Sequence, residues 1–196
     1  MILRLIRRMT VVASLLFAVA LTQSACVPLV VGGAVVGTAA VATDRRTTGT
    51  QLDDEVIEDK SAMAIAERFK GDFHVNVTSF NGVVLLTGEV PADSAKADIE
   101  QLVRSLPKVR AVQNELVVGP VTDISSRTND TLITSKVKAR FVEAAKFQIN
   151  FVKVVTENGT VYLMGVVRHS EGDAAAEIAR TTVGVQRVVK VFEYID

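Results

Sequence analysis

The sequence predicts an α+β fold made of two tandem αββαβ units, each a three-stranded mixed sheet packed with two helices. Two observations carry this prediction. An Asn-Gly pair lies between apolar runs in "SFNGVVLLTGEV" (79–90) and again in "TENGTVYLMGVV" (156–167), 77 positions later. Around each pair, one helical pattern precedes the apolar runs, and a second helical pattern and a last strand follow them. Residues 53–119 and 120–196 are the two predicted domains.

The first copy shows each element in order. Asp53 and Asp54 are predicted to cap a helix that runs to about Lys70. "HVNVTSF" alternates as a strand, the Asn-Gly pair supplies the positive-φ turn of a tight hairpin, and "VVLLTGEV" returns. Asp93 is predicted to cap a second helix, which must end before the next proline, and "VRAVQNELVV" is the third strand.

The second copy repeats this order. Asn129 or Asp130 is predicted to cap a helix that runs to about Lys146. "FVKVVTE" and "VYLMGVV" pair across the second Asn-Gly turn. Ser170 and Asp173 are predicted to start the next helix in the manner of a capping box, and "VQRVVKVFEYI" is the last strand. The later glycine of each hairpin is predicted where a strand bends or packs closely.

The N-terminus is predicted to be a signal peptide, residues 1–25. Three arginines precede an apolar run, Met9 to Leu21, that is too short to span a bilayer comfortably. "LTQSAC" resembles a bacterial lipobox, which implies that Cys26, the only cysteine, is diacylated and begins the mature chain. An ordinary cleaved signal that leaves a free thiol is the alternative. Residues 26–52 then hold this cysteine, an apolar glycine-rich tether and a polar linker.

Charge and residue types exclude several classes of function. Residues 53–119 carry 7 basic and 12 acidic side chains, and residues 120–196 carry 10 and 9. This is not the strong basic excess that nucleic-acid binding requires. The two histidines, His74 and His169, lie at non-equivalent places in the repeat, and no nucleophile, phosphate-loop or metal-ligand motif is present. We therefore predict a protein that is not an enzyme and has no cofactor, metal or small-molecule substrate.

The repeated pattern also resembles a known family. An early Asp, alternating "V-x-V", "NG-x-V-x-L-x-G-x-V" and a closing "GV-x-x-V" are similar to the BON domain, most distinctively in "NDTLITSKVKARF" (129–141) and "VVTENGTVYLMG" (154–165). Two such domains behind a lipobox resemble the dual-BON outer-membrane lipoproteins of the DolP group. The resemblance implies a lipid anchor in the outer membrane, a periplasm-facing position, binding of anionic phospholipid, enrichment at division sites and support of envelope integrity.

The first helices of the two copies differ in charge. Residues 53–70 carry six acids and three bases, whereas residues 131–146 carry four bases and one acid. Each basic residue near an anionic membrane contributes about 1 kcal/mol, so only the second helix is suited to approach one. The resemblance assigns lipid binding to this same helix and places an aromatic residue where this sequence has Leu132, which implies weaker or more charge-dependent binding.

A helical wheel separates the two sides of this second helix. Ile133, Val137, Phe141 and Ala144 form the predicted core face, which leaves Leu132 and Val142 as apolar residues beside lysines. The predicted phospholipid contacts are Leu132, Ser135, Lys136, Lys138, Ala139, Arg140 and Val142. Two alternatives stay open. Scattered exposed apolar residues are normal, and the chain could be an envelope scaffold that docks a protein such as an outer-membrane assembly component.

Overall fold

The computed structural model of the protein describes residues 44–71 and 73–196. The predicted signal peptide, Cys26 and the apolar tether lie outside the described residues. The first copy contains α1 (Thr48–Arg68), β1 (His74–Phe80), β2 (Val83–Val90), α2 (Asp93–Arg104), β3 (Ala111–Asn114) and β4 (Val117–Val118). The second copy contains α3 (Ile124–Ala144), a 3₁₀ turn (Ile149–Phe151), β5 (Val152–Glu157), β6 (Thr160–Val167), α4 (His169–Arg180) and β7 (Arg187–Tyr194).

The two sheets share one topology, and the predicted α+β fold is confirmed. In the first copy β2 pairs antiparallel with β1 and parallel with β3 and β4. In the second copy β6 pairs antiparallel with β5 and parallel with β7. The short strands β3 and β4 together take the place of β7, because Glu115 and the buried Leu116 interrupt the ladder between them.

The predicted first caps of both units were wrong. The hydroxyl of Thr47 accepts the amide of Thr50 and begins α1, and the carboxylate of Asp123 accepts the amide of Ser126 and begins α3. Both helices therefore begin several residues before the predicted caps, Asp53 or Asp54 and Asn129 or Asp130. The reason is local: a Thr or Asp side chain already satisfies the first amides at these earlier positions.

The predicted starts of the later helices were wrong by one residue in α2 and by two residues in α4. Ala92 is the cap of α2, so Asp93 is the first helical residue, and α2 ends at Arg104, before the proline as predicted. In α4 it is the Glu171 carboxylate that accepts the amide of Arg168, at 2.8 Å. The side chain of Asp173, predicted to belong to this cap, instead accepts a hydrogen bond from Lys190 at 2.6 Å.

Asp54 and Asp130 join the first helix of each copy to its hairpin. Asp54 is 3% exposed as a residue, and its carboxylate accepts the amides of Asn81 and Gly82, both at 2.8 Å. The Asp130 carboxylate is 6% exposed and accepts the equivalent amides of Asn158 and Gly159, again at 2.8 Å. All four turn residues have positive φ, between 48° and 73°. The same contact therefore fixes the turn and the helix together in both copies.

The later glycine of each hairpin lies where the backbone of the neighbouring strand passes very close, as predicted. A Cβ atom at Gly88 would collide with the carbonyl of His74, and one at Gly165 would collide with the carbonyl of Phe151. Only Gly88 also has a positive φ, of +114°. Close approach is thus the shared reason for these glycines, and backbone conformation adds a second reason at Gly88 alone.

Three apolar clusters give the described residues a four-layer order, helix–sheet–sheet–helix. Because successive strand residues point to opposite faces, Leu86 faces the helices of its own copy while Leu85 faces the other copy. Each copy has a core between its sheet and its helices. The third cluster, which we call the seam, lies between the two sheets and is made of Phe80, Leu85, Tyr162 and Met164. α1 and α3 consequently lie on opposite outer layers.

Polar contacts across the seam follow an approximate two-fold symmetry. Asn76 donates to Glu157 at the hairpin of the second copy, at 2.7 Å. Its equivalent 77 positions later, Lys153, donates to the carbonyl of Ser79 beside the hairpin of the first copy, at 3.4 Å. Two equivalent arginines likewise pair with glutamates of the opposite copy: Arg110 with Glu193 at 2.8 Å and Arg187 with Glu115 at 3.6 Å. The repeat therefore packs against itself through matching surfaces.

We expect Asp54→Ala to lower the free energy of unfolding by about 2–4 kcal/mol, because two buried turn amides lose their acceptor. Asp53→Ala is the matched control, since the neighbouring carboxylate forms only a surface ion pair with Lys108, which is worth less than about 1 kcal/mol. Urea unfolding of both variants measures the difference. Equal losses in the two variants would contradict a special role for the buried aspartate.

Candidate functional site

One side of α3 carries exposed residues of mixed character, which we call the α3 stripe: Leu132, Ser135, Lys136, Ala139 and Val142. Their spacing of three or four residues places them along one helix face. Leu132 is 54% exposed and Val142 is 64% exposed, so neither apolar side chain is used by the core. The stripe contains five of the seven predicted contact residues.

The opposite side of α3 packs into the second copy as predicted, with one exception. Ile133, Val137 and Phe141 are fully buried. Ala144 was also predicted on this face, but it is exposed. It is the last residue of α3, and Ala145 turns the chain away through a left-handed conformation.

Two lysines on α3 and one just beyond its end carry uncompensated charge. Within the part of the chain that the structure describes, the side chains of Lys136, Lys138 and Lys146 form no ion pair or hydrogen bond. All three are exposed. Glu143 is the one acid on this stretch of the helix, and it is exposed as well. The surface of α3 therefore keeps the positive charge that the sequence suggested.

Lys138 lies beside the stripe, on the edge of a polar groove of about 470 Å³. The groove separates α3 from strand β1 of the first copy, and His74 and Asn76 form its far wall. Ser135 lines the groove too, so it joins the groove to the stripe. Lys138 can therefore contribute charge near the stripe without lying in its apolar line.

Arg140 is set apart from the other predicted contact residues. Its Nη1 donates to the carbonyl of Ile178 at 2.8 Å and to the hydroxyls of Thr181 and Thr182 at 3.1 and 2.8 Å. These acceptors lie at the end of α4, where a cation satisfies free carbonyls and interacts well with the helix dipole. The structure gives Arg140 a role inside the fold that the sequence did not suggest.

α1 carries a second exposed apolar line, which the sequence analysis missed. Leu52, Val56 and Met63 are 59%, 40% and 63% exposed. Val56 is the equivalent of Leu132, 76 positions earlier. The exposed charged side chains of α1 are mixed: Glu55, Asp59 and Glu67 are acidic, and Lys60 and Arg68 are basic. A helical wheel of α1, drawn against the buried Ile57 and Ile65, would have found these residues.

Residues 44–71 and 73–196 contain no group of three or more His, Cys, Asp or Glu side chains that could hold a metal ion. A search of the same residues for helices long and apolar enough to cross a membrane found none.

A family model for the BON domain matches residues 53–120 and 129–196. The chain belongs to the BON-domain family. It is 42% identical over 173 residues to the outer membrane lipoprotein DolP of Haemophilus influenzae, which covers 87% of this chain and 89% of that protein. It is 36% identical to the 21 kDa hemolysin of Actinobacillus pleuropneumoniae, over 78% of this chain and 79% of that protein.

These relatives identify the chain as a DolP-like outer-membrane lipoprotein with two BON domains. The match to the BON domain and to DolP, a non-enzymatic lipoprotein, confirms the prediction that the chain is not an enzyme. A solved structure of CdsD, a structural protein of the type III secretion system of Chlamydia trachomatis, matches with 12% identity and a TM-score of 0.29. That match covers 72% of this chain and 92% of the other.

Arg140→Ala is expected to lower the free energy of unfolding by about 1–2 kcal/mol, because the end of α4 loses a charged hydrogen-bond donor. Lys138→Ala, two residues away on the same helix, is expected to change it by no more than about 0.5 kcal/mol. Thermal or urea unfolding of the two variants checks the contrast. If Arg140→Ala leaves the free energy of unfolding unchanged, the Arg140 side chain is not needed by the fold and would be free to contact a ligand.

Proposed function

We propose that this lipoprotein recognises anionic phospholipid through the α3 stripe and supports the integrity of the outer membrane from its periplasmic side. The observation that carries the proposal is the position of Leu132 and Val142, exposed on an outer helix beside unpaired lysines. Apolar side chains flanked by lysines are the composition of a helix that lies in the membrane interface.

The dimensions of the stripe suit shallow contact with a lipid surface. Leu132 and Val142 are ten residues apart, which is about 15 Å along a helix. A helix lying parallel to the surface can place both side chains among the headgroups at once. The lysine stems can lie along the apolar surface while their ammonium groups reach phosphates. Each lysine contributes about 1 kcal/mol near an anionic surface, so binding should weaken as salt is added.

The predicted lipid anchor and the stripe would act as two signals. A single weak interfacial helix binds reversibly, and acyl chains at Cys26 would keep the protein at the membrane regardless of composition. The stripe could then respond to the local density of anionic lipid. The exposed leucine, in place of an interfacial aromatic ring, makes this response depend more on charge.

The chain offers a second surface that favours the alternative function, a scaffold for a protein. The α1 stripe combines Leu52, Val56 and Met63 with three exposed acids and with Lys60, on the outer layer opposite α3. Acidic side chains are repelled by an anionic membrane but suit a partner segment that is basic and amphipathic. The scaffold function requires a protein partner, whereas the lipid function does not. Vesicles of pure lipid contain no protein, so they distinguish the two functions.

Vesicle sedimentation of residues 44–196 tests the lipid proposal. Selective binding to phosphatidylglycerol over phosphatidylcholine vesicles is expected. Leu132→Glu should weaken that binding by at least tenfold, because about 1.4 kcal/mol or more of apolar and electrostatic contact is lost. Val56→Glu is the matched control, since it places the same side chain at the equivalent position of α1 and should bind like the unchanged protein.

Three results would contradict the lipid proposal: no binding to either vesicle, equal binding to both, or an equal effect of the two substitutions. No binding to pure lipid would favour the scaffold function instead.

A further inference from the structure

The segment before α1 crosses the seam between the two copies. The side chain of Arg45 contacts the second copy. Its guanidinium forms two hydrogen bonds with the Glu171 carboxylate, at 2.6 and 2.8 Å, and a third with the carbonyl of Val166, at 2.9 Å. Its guanidinium carbon, Cζ, also lies 3.8 Å from the ring centroid of Phe151. A bidentate ion pair combined with ring stacking is a specific, geometrically demanding contact.

Arg46, the next residue, reaches the first copy. One guanidinium nitrogen lies 2.8 Å from Asp54, and the carbon centre lies 3.8 Å above the ring of Phe80. Asp44 accepts from the other side of the same guanidinium, also at 2.8 Å. The side chains of Arg45 and Arg46 are only 18% and 14% exposed. These are therefore ordered contacts of the fold, although the sequence predicted a linker here.

Two neighbouring residues thus hold opposite copies. Their Cα atoms can be no more than about 3.8 Å apart, so both sets of contacts can form only when the two copies keep one spacing and orientation. The first copy contributes Asp54, the carboxylate that already fixes its hairpin. The second-copy equivalent, Asp130, binds its hairpin amides without an arginine. The N-terminal segment accordingly breaks the approximate symmetry of the seam.

We propose that Arg45 and Arg46 are positioning residues that staple the two BON domains together. The staple holds the domains in a single arrangement. It works in the same way whatever the α3 stripe binds, so its test needs no lipid.

Zero-length carbodiimide coupling between Lys153 and Glu58 measures the arrangement directly, because this ion pair joins the two domains at 2.7 Å. The coupling yield is measured for the full chain in detergent. It is compared between the unchanged protein and three variants: Arg45→Ala, Arg46→Ala and the double variant. Each arginine contacts a different domain, so the loss of either one breaks the link between the domains. Each single variant should therefore lower the coupling yield by about fivefold, and the double variant should lower it no further.

The matched controls are Arg104→Ala and Arg180→Ala, whose guanidinium groups pair with a glutamate of their own helix. Their coupling yield should equal that of the unchanged protein. Hydrogen exchange of the two hairpins shows whether each domain is still folded. Unchanged yields in the arginine variants would overturn the proposal. So would losses that add up in the double variant, or losses that accompany unfolding of a hairpin, since both indicate local stabilisation only.

Discussion

The contact on which each copy depends is the hydrogen-bonded pair between a buried aspartate and a positive-φ turn. Asp54 and Asp130 each accept two turn amides, so the helix cannot move without leaving buried donors unpaired. Burial alone would raise the pKa of Asp54. Hydrogen bonds from Ser79, from the turn amides and from Arg46 outweigh that effect and hold the pKa below its usual value. This carboxylate stabilises the fold above its unfolded-state pKa of about 3.8, and the stabilisation is lost as pH falls through the lower folded value.

Because the same contact organises both copies, they share a backbone and can differ on their surfaces. Packing of the sheets against each other buries one face of each and sends α1 and α3 to opposite outer layers. The exposed apolar positions Val56 and Leu132 are equivalent, but the acids Glu55 and Asp59 lie beside the first, where the second copy has the uncharged Thr131 and Ser135. The result is a molecule with two different outer faces, of which only the α3 face has the charge for an anionic membrane.

The sequence was sufficient for the parts of the fold that local patterns encode. The Asn-Gly turns, the mixed sheets and the buried face of α3 follow from turn chemistry and periodicity. The roles of Asp54 and Asp130 could not be predicted, because an acid near a helix start looks the same whether it caps the helix or binds a turn nearly thirty residues away. Arg140 was misleading for the same reason, since its acceptors lie in another helix. The run "VVLLTGEV" is almost continuously apolar, which indicates a strand that is buried on both faces. The sequence therefore did contain a sign that the sheet is covered on its second face, at the seam.

The expectation is that membrane recognition resides in a few exposed residues, carried on a scaffold that both copies share. Its most direct test is a transplant into the Leu132→Glu variant, in which α1 receives the equivalent residues of α3: Glu55→Thr, Val56→Leu, Asp59→Ser and Ala62→Lys. Vesicle sedimentation is then repeated with phosphatidylglycerol. We expect the transplanted α1 to restore most of the binding that is lost with Leu132. A folded transplant that stays unbound would contradict it and would show that recognition needs more of the second copy than its exposed face.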